Sequence, residues 1–265
     1  QFAINASSNG HVIDVAAGTY AEDVVVNKQV SIVGAGIGVS TVSGPIGGGT
    51  STFQVAATNV LIDGFSITRA GNNPADWNLA LNLAGIAIQG MASQAEVRNC
   101  ELVGNRNAFD INNSNGNNIH NNHIHFNRTG MIFRNQTDNT TVENNIISDN
   151  WTVGVLFLDA SSGSNVPVQT AAGCSFSDND ISGNWYGEIV DRQSGGSLPA
   201  PGTNLKAFTC NWYGTTSPVI SSSNSVEPGY GALIPVAYGG SAVPPAPQPD
   251  ILGVASANFV YAPWT

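Results

Sequence analysis

Apolar and polar positions alternate along this chain in short phrases that return at a regular interval. Val97-Arg98-Asn99-Cys100-Glu101-Leu102 comes back as Ile119-His120-Asn121-Asn122-His123-Ile124 and as Val142-Glu143-Asn144-Asn145-Ile146-Ile147. Later copies are Phe176-Ser177-Asp178-Asn179-Asp180-Ile181 and Phe208-Thr209-Cys210-Asn211-Trp212-Tyr213. A two-residue period marks a strand with one buried face. Recurrence every 22 or 23 residues among the first three copies predicts a solenoid, in which each turn buries its apolar face only against its neighbours.

Within residues 142–150, Val142 and Asn144 alternate with Glu143, Asn145 breaks the alternation and Ile147 resumes it. One left-handed residue between two short strands produces such a break, and asparagine tolerates that conformation. Stacked in register, Asn122, Asn145, Asn179 and Asn211 are expected to form an internal ladder of amide hydrogen bonds, with Cys100 continuing it. Asn105, Asn127, Asn150 and Asn184 mark the next corner. A third strand then follows a small residue in each turn, as in Gly130-Met131-Ile132-Phe133 and Gly154-Val155-Leu156-Phe157. Ile62-Asp63-Gly64-Phe65-Ser66-Ile67 and Val30-Ser31-Ile32-Val33-Gly34 read as earlier, looser rungs.

Insertions interrupt the pattern at about 70–83, 160–173 and 193–205, the last two from the same corner of consecutive turns. From about 218 the period fades into a tail rich in Gly, Pro and Ser. The expected organisation is a solenoid over 1–217, and an extended strap or cap over 218–265 that packs on it.

Charge narrows the partners. Only 10% of residues are charged, the net charge is −10, and Lys28 and Lys206 are the only lysines. Such a chain lacks the basic footprint that nucleic acid or an anionic membrane surface requires. No apolar run approaches the roughly twenty residues of a membrane span. Three cysteines are an odd number and no disulfide framework. Cys100 and Cys210 occupy asparagine or aspartate slots and read as small buried side chains. Cys174 and Cys210 should lie about 13 Å apart along the strands, beyond disulfide reach. Richness in Gly, Ser, Thr and Asn with very little Lys fits a secreted or cell-surface protein.

With those residues in view, the chain resembles the right-handed parallel β-helix superfamily, also called pectin lyase-like. The opening Ala3-Ile4-Asn5-Ala6-Ser7-Ser8-Asn9-Gly10 and Ile13-Asp14-Val15-Ala16-Ala17-Gly18-Thr19-Tyr20 look like the entry segment of secreted β-helix proteins. Asn211-Trp212-Tyr213-Gly214 and the late Val260-Tyr261-Ala262-Pro263-Trp264 look like the closing signature of β-helix modules in large bacterial surface proteins. The resemblance implies an all-β solenoid with a partial helix capping its first turn and an irregular strap at its end. Relatives carry more of that helix, so the resemblance leads to the expectation of either a piece of a longer chain or a processed terminus. The marks of its enzyme families are missing: no Asp-Asp pair, no Gly-His-Gly, no Asp-Pro-His-like signature.

One corner holds the candidate ligand site. Arg134, Asp159, Asp191 and Arg192 follow the third strands of successive turns, with Trp185 and Tyr186 in the same turn as the last two. Arginine and aspartate bind hydroxyls or carboxylates, and aromatic faces stack on sugar rings. The plainer reading is a set of surface ion pairs, Asp159–Arg192 and Asp191–Arg134, each worth little. His123 and His125 flank inward Ile124, so both face outward near Glu101, a set that can hold Zn²⁺ or Cu²⁺. A solvated polar column (Arg98, His120, Glu143, Ser177, Thr209) is the preferred reading there. No metal or cofactor is therefore expected, with Ca²⁺ at Asp149, Asp178 and Asp180 left as the open exception. The expected role is a rigid surface, adhesive or polysaccharide-binding element. The alternatives are a lyase-like enzyme acting on an acidic glycan and a subunit that assembles end to end.

Overall fold

The computed structural model describes residues 1–70, 83–90, 92–158, 170–192, 204–221, 249–253 and 259–264, with the backbone alone at Arg192. The three short strands of each turn fall into three parallel sheets. Among the described residues these hold nine, seven and eight strands. Each strand pairs with its counterpart one turn away: Val97 lies beside Ile119, Ile119 beside Val142, and Val142 beside Phe176. The fold is a right-handed parallel β-helix. The five-residue helix Phe2–Ala6 lies at its amino-terminal end and buries Ile4.

Period-two patterning puts one residue of each pair inside. Ile62, Val97, Ile119, Val142, Phe176 and Phe208 form one fully buried stack along the first sheet. Ile67, Leu102, Ile124, Ile147 and Ile181 form another along the second. Aromatic rings fill the carboxyl-terminal third of the core: Phe176 and Phe208 stack at 4.0 Å, and Phe133 lies 5.2 Å from Phe157.

The corner between the first and second sheets works as expected, with one correction. Asn99, Asn121, Asn144, Asp178 and Cys210 are the left-handed residues, with φ between 51 and 60°. The break therefore falls at Asn144, and Asn145 is the residue that turns inward. Cys210, in a left-handed slot, is consequently half-buried rather than buried. The inward asparagines stack. In each rung the backbone N–H and the side-chain Nδ2 both donate to Oδ1 of the next, from Asn122 to Asn145, Asn179 and Asn211, at 2.9–3.1 Å. Cys100 joins at the front through its backbone N–H on Asn122 Oδ1 at 3.0 Å.

The second corner repeats this design. Gly104, Phe126, Asp149 and Gly183 have positive φ, and the residues after them, Asn105, Asn127, Asn150 and Asn184, form a second ladder. Asn184 has no asparagine beyond it. Its backbone N–H and its Nδ2 donate instead to Glu188 Oε2, at 3.4 and 2.5 Å. The carboxyl group thus stands where the next amide oxygen would be.

The described parts of the tail extend the solenoid. Ile251–Leu252 pairs in parallel with Ile189 and Val190, and Phe259–Val260 pairs with Lys206 and Ala207. Cys100, Cys174 and Cys210 are all free thiols.

Candidate functional site

Among the described residues, Arg134 and Asp191 do not meet, and Trp185 and Tyr186 stand apart from both. Arg134 forks onto Asp110, with Nε to Oδ1 at 2.9 Å and Nη2 to Oδ2 at 2.5 Å. Asp191 is in register with Phe157, and the Phe133–Phe157–Asp191 row faces the interior. There its Oδ2 lies 4.0 Å from Nζ of the fully buried Lys206. That ammonium sits over the rings of Phe157 and Phe259 at 4.9 and 4.7 Å. Burial pushes the Lys206 amine down, and Asp191 opposes the shift. The Asp191–Arg134 pairing expected from the sequence is thus replaced by Arg134–Asp110 and Asp191–Lys206, because strand alternation puts residues 134 and 191 on opposite faces.

Trp185 and Tyr186 lie in the bend just before the strand Gly187–Arg192 that carries Asp191. Four strand steps of about 3.3 Å then carry the chain about 13 Å from Gly187 to Asp191. Tyr186 is 1% exposed, packed with Ile132, Val153, Leu156, Val190 and Leu252 on the outer face of the third sheet, with half-buried Trp185 against them. Asp159, most of the three insertions and the side chain of Arg192 lie outside the described residues. Leu158 and Arg192 are register partners, so the second and third insertions do depart from one corner at neighbouring levels.

A different surface gathers the groups suited to a sugar. At the second corner, backbone hydrogen bonds stack Arg106, Arg128, Trp151 and Trp185 one per turn. At about 4.8 Å per rung that column is roughly 14 Å long. All four residues are half-buried. Beside them stands Phe126, 39% exposed, in a left-handed backbone of φ 48° where the other rungs carry glycine or aspartate. Its ring lies 5.8 Å from Trp151 at an interplanar angle of 25°, and 5.0 Å from His125. Sequence reasoning passed over Phe126. The signal was a bulky residue in the position that Gly104 and Gly183 occupy.

On the adjoining outer face of the second sheet, Glu101 pairs in register with His123, and His125 follows two residues on. His125 Nε2 lies 3.1 Å from Glu101 Oε1, and Ser66 Oγ donates to Glu101 Oε2 at 2.8 Å. The two imidazoles stack at 3.8 Å. Burial opposes ionisation of Glu101, but the hydrogen bonds from Ser66 and His125 win and hold its carboxyl below the usual range. Burial, helped by the neighbouring His125, pushes His123 down. The polar column of the first sheet forms as read, with Arg98, His120, Glu143, Ser177 and Thr209 as successive partners, but Glu101, His123 and His125 lie outside it, on the second sheet.

A cavity of about 420 Å³ opens at the amino-terminal end of the core. Its lining of Ile13, Val15, Val24, Ile32, Val42, Phe53 and Phe65 has few polar groups besides Gln1, Asp14 and Glu22. It is the unfilled mouth of the solenoid, and its lining is poorly suited to a sugar.

Compared with curated protein sequences, the chain finds no match. Among solved structures it is similar to DFA-IIIase from Arthrobacter chlorophenolicus A6, at 15% identity and a TM-score of 0.49, over 76% of this chain and 57% of that one. It thus spans little more than half the length of that protein. It is also similar to a pectin methylesterase in complex with hexasaccharide VII, at 14% identity and 0.43, over 82% and 85% of the two chains. A third likeness is the A-module of the mannuronan C-5 epimerase AlgE4 of Azotobacter vinelandii, at 14% and 0.38, over 82% and 73%. The model of the right-handed β-helix region matches residues 34–169, just over half of the chain. Three parallel sheets, one strand of each per turn, agree with that match, and the chain belongs to the right-handed β-helix family.

Proposed function

We propose that this chain is a polysaccharide-binding β-helix module of a secreted or surface-exposed protein, and that it grips an acidic glycan along the second corner. The observation that carries this reading is Phe126. A non-glycine residue in the left-handed region costs about 1–2 kcal/mol, and bulky side chains there are rare enough to point to a use. Burial does not repay Phe126, because its ring is 39% exposed. What the conformation achieves is an outward aromatic face stacked on Trp151. Arg106 and Arg128, in the same column as Trp151, supply the planar charge that recognises carboxylates.

Phe126→Gly separates function from folding. Glycine adopts φ 48° freely, so the variant should stay within about 1 kcal/mol of the parent in unfolding free energy. Its retention on immobilised pectate or alginate should fall steeply, and added salt should weaken the parent's retention. Undiminished retention by a folded Phe126→Gly variant would move the site elsewhere.

A further inference from the structure

We propose that Glu101, His123 and His125 form a binding site for a divalent transition-metal ion of the zinc type on the outer face of the second sheet. One ligand atom from each residue, a carboxylate oxygen or an imidazole nitrogen, lies within 4.8 Å of the other two. Two imidazoles and one carboxylate are a borderline-soft donor set that suits Zn²⁺ and leaves coordination positions open to solvent or a ligand. The set arises from the register: Glu101 and His123 are partners on adjacent rungs, and His125 lies one pleat further along the same face. The same rows carry Ser66, Ile146 and Asp180 beside Glu101 and His123, and Ser148 and Ser182 beyond His125. Imidazole and carboxylate therefore converge at one level only, unlike a polar column repeated in every turn.

Two features prepare the site. Ser66 Oγ holds the outer carboxylate oxygen at 2.8 Å, the kind of supporting contact that orients a metal ligand. His123 and His125 stack at 3.8 Å on that outward face, which holds both imidazoles beside the carboxylate. Ligand atoms about 2.1 Å from a tetrahedral ion stand about 3.4 Å apart, so the group must contract. The rings now stack with an interplanar angle of 9°, and rotation of one about its Cβ–Cγ bond brings its lone pair toward the other. Both rings are half-buried on an outward face, where that rotation has room. The proposal does not depend on glycan binding.

Calorimetric titration of the chelator-treated full chain with Zn²⁺ should show one equivalent bound in the micromolar range or tighter. His123→Asn and Glu101→Gln should each weaken binding at least about tenfold, and Ser66→Ala should do so to a lesser degree. His120→Asn, on the neighbouring sheet, should leave it unchanged. Unmodified protein loaded with Cu²⁺ should show coupling to two nitrogens in its electron paramagnetic resonance spectrum, a readout that no folding defect of a variant can imitate. Absence of Zn²⁺ binding at micromolar concentrations overturns the proposal. So does a Cu²⁺ spectrum without nitrogen coupling, or an affinity that His123→Asn leaves intact.

Discussion

Replacing Asn145 with leucine is expected to destabilise the chain by about 3–5 kcal/mol, while Asn144→Gly beside it should change stability by less than about 1 kcal/mol. Asn145 is 1% exposed. Its Nδ2 donates to Ile119 O at 2.9 Å, Glu143 O at 3.0 Å and Asn179 Oδ1 at 3.0 Å. Its Oδ1 accepts from the backbone and side chain of Asn122, both at 3.0 Å. Leucine fills a similar volume but takes the acceptor from the buried Asn122 N–H and from one Nδ2 hydrogen of Asn122. It also takes the side-chain donor from Ile119 O and Glu143 O. Asn122 Nδ2 keeps Val97 O, and Glu143 O keeps the Asn121 N–H. An unmet buried group costs about 1–3 kcal/mol. Partial relaxation keeps the total below their sum. Asn144 is exposed and has φ 55°, a conformation that glycine adopts without strain. Denaturant unfolding of the two variants checks the contrast. Equal losses would mean that the ladder is not what holds this corner.

The chain itself contains a control for that argument. At position 100 the ladder slot holds cysteine, and one turn earlier it holds Phe65, fully buried. No asparagine in a preceding rung aims its donors at these positions, so apolar side chains are tolerated there. Cys100→Ala should therefore cost only the packing of a sulfur atom and its weak S–H hydrogen bond to Arg98 O at 3.0 Å.

The repeat period was enough to read the sheets, the register and both asparagine columns, because inward positions recur wherever neighbouring turns must share a core. Adjacent asparagines were harder. Asn144 and Asn145 are identical in composition, and only the backbone shows which one is left-handed and which is buried. Asp191 was misplaced because aspartate normally faces water. Here the alternation set by Phe133 and Phe157 turns it inward, where Lys206 offsets its charge. Trp185 looked close to Asp191 in sequence, yet the strand that begins at Gly187 carries Asp191 about 13 Å away from that bend. The proximity of His123, His125 and Glu101 was legible from register. The stacking of Phe126 on Trp151 depends on a turn conformation that no period encodes.

Glu188 should make the chain less stable as pH rises from about 5 to about 8, and Glu188→Gln should remove that dependence. Burial pushes the Glu188 carboxyl up to about 8 from its ordinary 4.5, although the hydrogen bonds from Asn184 pull the other way. Below the ordinary value, folded and unfolded chains both hold the proton and the group contributes no pH dependence. Between the two values the unfolded chain releases the proton and the folded chain keeps it. The unfolded state then binds fewer protons, and unfolding free energy falls with pH. Each unit of displacement is worth about 1.4 kcal/mol, so the full loss is roughly 3–5 kcal/mol, complete above the folded value. Glutamine retains an oxygen to accept from Asn184 and has no proton to lose, so the end of the second ladder stays satisfied at every pH. Other groups titrate over the same range, and the difference between parent and variant isolates this one. Unfolding free energies measured at pH 5, 6.5 and 8.5 should converge at the acid end and separate at the alkaline end, with the parent the weaker. Parallel profiles would show that Glu188 is ionised in the folded chain and that water, not burial, surrounds the ladder's last rung.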